Sequence, residues 1–169
     1  MKNLLFLVTI FMSLSVFSQT KIGHVNSQKL LDTMQSRKTA MKKLDDFRAE
    51  GIKELQEMQK AFETAYIKFE ATSKDMSPVL LKMEQDKLMK KQQDIETRQN
   101  ELEQGLQIYN EELNKPILDR IQKAIEIVAD RKKLSYVIDE TAALYFKGGI
   151  DCTPEALVEV IKLDLESIK

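Results

Sequence analysis

The side chains that ordinarily carry covalent or acid–base chemistry are scarce here: one histidine, His24, and one cysteine, Cys152, in 169 residues. A nucleophilic triad needs an imidazole between a nucleophile and an orienting acid, and a structural zinc site draws on several His or Cys ligands. A single histidine assembles neither, and His24 is expected on a strand face with no metal bound. Cys152 has no partner for an internal disulfide and is expected as a small buried hydrophobe. The five glycines fall into neither GxGxxG nor GxxxxGK[ST], so no phosphate cradle is visible. Carboxylates are plentiful, but they alternate with Lys and Arg in the manner of a solvated helical face. The expectation is a chain that is not an enzyme and has no cofactor.

What remains is surface for binding. Met58, Phe62, Phe69, Met76, Met83 and Met89 gather in the middle of the chain. Methionine is flexible and polarisable, which suits a surface that must accept many apolar shapes. These six are the candidate binding residues, although Phe62 and Phe69 also fit the seam between two helices. Charge argues against nucleic acid as a partner: beyond residue 18 there are 25 Lys and Arg against 27 Asp and Glu.

The elements that must position these residues can be read in order. Residues 1–18 have the form of a cleavable secretory leader: Lys2, the apolar run Leu4 to Met12, then Val16 and Ser18 ahead of Gln19. Lys21 to Asn26 reads as a short strand, and Asn26 or Ser27 can cap a brief helix bearing Leu30, Leu31 and Met34. From Arg37 to Lys74 there is no proline and one glycine, Gly51. Ser77 and Pro78 then fit the N-cap and first position of a second long helix, with Pro116 expected to kink it. Its apolar face grows denser through Ile117, Leu118, Ile121, Ile125 and Val128. Leu134 to Asp139 and Ala143 to Phe146 read as two strands, and Gly148-Gly149 as a turn. Thr153 and Pro154 open a last helix with Leu157, Val160, Ile161, Leu165 and Ile168 as its stripe.

Register is the most informative pattern. Leu81, Leu88, Ile95, Leu102 and Tyr109 recur every seven residues, as do Phe69, Phe62, Leu55, Arg48 and Met41 read backwards. Paired in that order, each couple sums to 150, which folds the chain back at the Ser-Pro break as an antiparallel coiled-coil hairpin. A second seam would set Gln85, Gln92 and Gln99 against Ala65, Met58 and Gly51, with Leu106 on Leu44. At 1.5 Å per residue, each 38-residue arm would be roughly 57 Å long. Gly51 and Gly105 mark either a soft point or a place of close packing.

The segments KIGHVNSQKLL (Lys21 to Leu31), IQKAIEIVADRKKLSYVIDETAALYF (Ile121 to Phe146) and IDCTPEALVEVIK (Ile150 to Lys162), with the charged helices between, resemble the Skp/OmpH family of periplasmic chaperones. The resemblance implies a mainly α protein with a small β body: a long helical hairpin projecting from a short-stranded, oligomeric, β-barrel-like core. It divides the chain into a leader (1–18), a trimerising body (19–36 and 116–169) and an arm (37–115) with its tip near 75–78. Ile22, Val25, Tyr136, Ile138, Leu144 and Phe146 would form the trimer body. It further implies a homotrimer that holds unfolded outer-membrane proteins in the periplasm without ATP, in a cavity between its arms. Peripheral contact with a membrane surface stays open, and the alternative role is a coiled-coil spacer or adaptor of the cell envelope. One feature departs from the family: its members are often strongly basic, whereas this chain has a pI near 6.0 and 15 basic against 15 acidic residues in the two arms. That balance speaks against electrostatic capture, and no lipopolysaccharide site is carried over.

Overall fold

The computed structural model describes residues 21–167; the leader expected at 1–18 and Ile168 of the last stripe lie outside the described residues. The element order is β1 (Ile22–Val25), α1 (Ser27–Thr33), α2 (Gln35–Thr72), a 3-10 turn (Ser73–Asp75), α3 (Pro78–Lys132), β2 (Tyr136–Asp139), β3 (Ile150–Asp151) and α4 (Thr153–Ser167). The protein is mostly helical with one small sheet. By contact it divides into two compact units: residues 21–33 with 121–163, and 34–120 with 164–167.

In the first unit, β1 is the central strand of a three-stranded sheet, with β2 on one side and β3 on the other. Both pairings are parallel; Ile22 lies opposite Tyr136 and His24 opposite Ile138, while Gly23 faces Ile150. Asn26 starts α1, its side-chain oxygen accepting from the Lys29 N–H at 3.0 Å. The helix α3 stops at a Schellman turn: Lys133 adopts φ +54, the Leu134 N–H bonds Ala129 O, and the Lys133 N–H bonds Asp130 O. The buried apolar residues are Val25 and Leu30, then Ile121, Ala124 and Val128 on one stripe of α3, and Cys152, Ala156 and Val160 around the start of α4. Gly23 is required by close approach, since a Cβ there would come 2.7 Å from Leu134 Cδ1 and 2.8 Å from Cys152 Sγ.

Three expectations for this unit are corrected. Ala143 to Phe146 form no strand; the third strand is Ile150–Asp151, which takes the side of β1 that β2 leaves free. Thr153 is not the cap of α4 but its first residue, its N–H donating to Asp151 Oδ1 at 2.8 Å while its own hydroxyl accepts from the Asn26 N–H. The buried face of α4 runs through Ala156, Val160 and, in the second unit, Asp164, so that Val160 of the expected stripe is buried while Ile161 and Leu165 are exposed; Leu118 of α3, also in the second unit, is exposed too.

In the second unit, Ser77 caps α3 as its position predicted, its hydroxyl lying 3.4 Å from the Leu80 N–H, and the helix then runs unbroken through Pro116. Contacts between α2 and α3 couple falling and rising numbers: Glu54 bonds Arg98 at 2.8 Å, Gly51 abuts Leu102, and the Phe47 ring lies 5.3 Å from that of Tyr109. The first two couples sum to 152 and 153, two or three residues beyond the expected 150, and Phe47 with Tyr109 sums to 156, six beyond it. The half-buried seam of α2 contains Leu44, Phe47, Gly51, Leu55, Met58, Phe62, Ala65 and Phe69, with Ala40 buried before them, whereas Met41 and Arg48 are exposed. From Leu55 back to Phe47 the step is eight residues rather than seven, an extra four-residue spacing that shifts the inward face by one position at Gly51. On α3, Gln85, Gln92 and Gln99 are exposed, and Glu84 and Arg98 take the inner positions beside the Leu81–Leu88–Ile95–Leu102 row.

The two helix glycines differ accordingly. A Cβ on Gly51 would press into Leu102, within 2.9 Å of Cδ2 and 3.1 Å of Cγ, whereas one on Gly105 would rest 3.4 Å from Phe47. Gly→Ala in a helix normally gains about 1 kcal/mol. Gly105→Ala is expected to raise the unfolding free energy by about that amount in urea titrations. Gly51→Ala is expected to lower it by about 1 kcal/mol, because overpacking outweighs the propensity gain.

Candidate functional site

The strand pleat sorts the first unit into two faces. Gly23 and Val25 point inward and are buried, so Val25, expected in the trimer body, is packed inside its own unit. Ile22 and His24 point the other way, in register with Tyr136 and Ile138. On this outer face Ile22, Ile138 and Phe146 are each nearly half exposed and Tyr136 is 63% exposed; Leu144, in the loop after β2, is fully exposed. Five of the six expected body residues are therefore exposed in one unit rather than buried in its core.

At the centre of that face His24 Nδ1 lies 2.7 Å from Glu140 Oε1, and Asn26 Nδ2 donates to Glu140 Oε2 at 3.1 Å. The Phe146 ring leans on the imidazole at 4.9 Å. The loop that delivers Phe146 ends in Gly148 and Gly149, both with φ above +90, a region that side chains other than glycine's rarely enter. A shallow pocket lined by Ile22, His24, Glu140, Tyr145, Phe146 and Gly149 opens there. Asp151, beside His24 on β3, has its carboxyl held below the ordinary range by the Thr153 backbone N–H and side chain, with smaller contributions from His24 and Lys29. Sequence reading singled out His24 but missed Glu140 and Asp151, which lie 116 and 127 residues away along the chain. No local spacing could have joined them.

Cys152 is buried behind the sheet, as its isolation suggested. Burial pushes its thiol pKa above the ordinary value, with Lys132 pulling the other way. The folded protein is expected to react with a maleimide at neutral pH at least about tenfold more slowly than the urea-unfolded chain, read by mass spectrometry.

The candidate binding residues of the second unit divide by exposure. Met58, Phe62, Phe69 and Met76 are half-buried, and Met83 and Met89 are 52% and 68% exposed. Phe62 stacks on Tyr66, with ring centres 6.2 Å apart. Phe69, Met76 and Leu80 line an open groove near the helix turn with Ala65, Lys68 and Glu84. Sequence reading passed over Ile52, Tyr66, Ile67, Val79 and Ile108, which also expose much of their surface. Each lies off the heptad rows, so a search for apolar residues outside the seam would have found them. Among the described residues no helix is long and apolar enough to cross a membrane.

Comparison with known proteins places these features. Residues 21–160 match the family model "Outer membrane protein (OmpH-like)". The chaperone protein Skp of Photorhabdus laumondii is 26% identical over 164 residues, covering 95% of this chain and 99% of that one. The Skp of Photorhabdus luminescens is 26% identical over 140 residues, 83% of this chain and 85% of the relative. A Caulobacter crescentus crystal structure described as an OmpH-like outer membrane chaperone shares the fold, with a TM-score of 0.73 at 12% identity over 87% of each chain. With the family match spanning most of its length and a shared fold, this chain belongs to the OmpH-like family.

Proposed function

We propose that the protein is a periplasmic holdase that shields unfolded outer-membrane proteins from aggregation without using ATP. In this reading α2 and α3 form an antiparallel coiled-coil arm, and three copies pool the exposed faces of their sheets into a trimeric, barrel-like body. The carrying observation is the exposure of Ile67, Val79, Met83, Met89 and Ile108 on charge-balanced helices. Apolar side chains distributed along two long charged helices offer many weak contacts to an extended chain, and several such contacts together give avidity without a deep pocket. A spacer with one fixed partner would instead concentrate its apolar surface in one docking patch. The Skp relatives support the same reading, and the near-neutral charge leaves apolar contact as the main attraction.

The pooled body has its own support. A three-stranded sheet whose flanking strands have four and two residues, with apolar residues facing water, is a weak structure for an isolated unit. Covering that face in a closed symmetric assembly removes it from solvent. The test is light scattering of a β-barrel precursor diluted from urea, with and without the purified protein and in the absence of nucleotide. Suppression at stoichiometric trimer is the expected result, and unchanged aggregation rejects the reading. Sedimentation equilibrium separately tests the trimer.

A further inference from the structure

We propose that His24, Glu140 and Asp151 form a divalent transition-metal site of the zinc class on the outer face of the sheet. The three residues come from adjacent positions across it: His24 from the central strand, Glu140 directly after β2, and Asp151 from β3. One ligand atom from each lies within 4.8 Å of the others. Around a dication bound at about 2.0–2.2 Å, neighbouring ligand atoms stand about 3.4 Å apart. A modest rotation of the carboxylate side chains therefore closes the set without moving the strands.

The donor chemistry selects the ion. One imidazole with two carboxylates is harder than a thiolate site and softer than an all-oxygen cage, so it favours Zn²⁺ and its first-row neighbours over Ca²⁺ or Mg²⁺. Two carboxylates facing one imidazole leave net negative charge for the ion to neutralise; Lys29 acts on Asp151 only from beyond ion-pair distance, and among the described residues no Lys or Arg forms an ion pair with either carboxylate. The outer shell is already built: Asn26 Nδ2 donates to Glu140, and the Thr153 N–H fixes Asp151. Three protein ligands leave a fourth position for water or for a side chain from outside the unit. The bound ion would join β1 to both its neighbours at the place where the sheet is shortest. The site lies on the face that the proposed trimer pools, but its test does not depend on chaperone activity.

The single histidine makes the test direct. In tag-free, chelator-stripped protein labelled with ¹⁵N, the only imidazole signals belong to His24. One equivalent of Zn²⁺ is expected to shift one ring nitrogen resonance strongly, to bind at one ion per chain by titration calorimetry, and to raise the melting temperature. Mg²⁺ at the same concentration is expected to do none of these. His24→Gln and Glu140→Gln are each expected to weaken Zn²⁺ binding at least tenfold while circular dichroism shows the fold retained. Unmoved imidazole resonances overturn the proposal, as does Zn²⁺ binding that both substitutions leave intact. Should the variants fail to fold, the wild-type resonances decide alone.

Discussion

Replacing Asp164 by Ala is expected to cost about 3 kcal/mol of unfolding free energy, measured by urea titration at matched chain concentration. Asp164 is 2% exposed, and its carboxylate faces the guanidinium of Arg120, with Oδ1 3.5 Å from Nε. Its other oxygen accepts from the Ser36 N–H at 3.1 Å, and Arg120 Nη2 donates to the Ser36 hydroxyl at 2.9 Å. The three groups thus connect the start of α2, the middle of α3 and the end of α4. Neither Arg120 Nε nor Asp164 Oδ1 has a well-formed hydrogen bond, so their attraction is mainly between charges. Truncation to Ala strands a largely buried guanidinium and leaves an amide N–H without its acceptor, and each loss adds to the cost. Asp164→Asn keeps an acceptor for Ser36 and is expected to lose about half as much. A variant with both Arg120 and Asp164 replaced by Leu is expected to recover part of the loss, because no unpaired charge remains.

Gly23→Ala is expected to destabilise the protein by a similar amount, about 2–3 kcal/mol, through overpacking at the centre of the sheet. The new methyl would fall between Leu134 Cδ1 at 2.7 Å and Cys152 Sγ at 2.8 Å, with the Ile150 carbonyl at 3.3 Å. Leu134 follows the Schellman turn, and the Cys152 N–H is bonded to His24 O at 2.8 Å, so both neighbours are held by backbone bonds. Removing the sulfur should relieve one of the two clashes. The Gly23→Ala, Cys152→Ala pair is therefore expected to be less destabilised than the sum of the single changes by about 1 kcal/mol in a double-mutant cycle. Full additivity would mean that the strain is relieved elsewhere, through Leu134.

Local chemistry explains which parts of this fold were legible in the sequence. Ser77 and Pro78 announce a helix start through the chain's own neighbours, and Asn26 does the same for α1. The heptad rows were also readable, since Leu81, Leu88, Ile95 and Leu102 do line the inner side of α3. The register failed at one place: the eight-residue step across Gly51 moves the inward face from the Arg48–Met41 row to Phe47 and Ala40. Only the fit of Leu102 against a residue without a side chain reveals it. The false strand at Ala143 to Phe146 has another cause. Its aromatic content suits a pleated surface, but β1 is paired on both sides and the segment instead serves as the loop that sets Phe146 against His24. For the His24 cluster no sequence signal exists, because tertiary pairing alone brings Glu140 and Asp151 to the imidazole. The surface Met and Ile residues were partly legible, since exposure follows from the heptad phase once that phase is known.

The sheet has a consequence for the order in which the molecule is completed. Its middle strand lies near the start of the chain, while both flanking strands are made more than a hundred residues later. A folding chain can zip α2 against α3 through contacts between nearby turns. Ile22 to Val25 must wait for residues 136–139 to gain a first hydrogen-bonding neighbour and for residues 150–151 to gain the second. The slow step of folding is therefore expected to be the capture of the first strand by segments more than a hundred residues away, and a chain cut short before β3 would leave that strand bare along one edge.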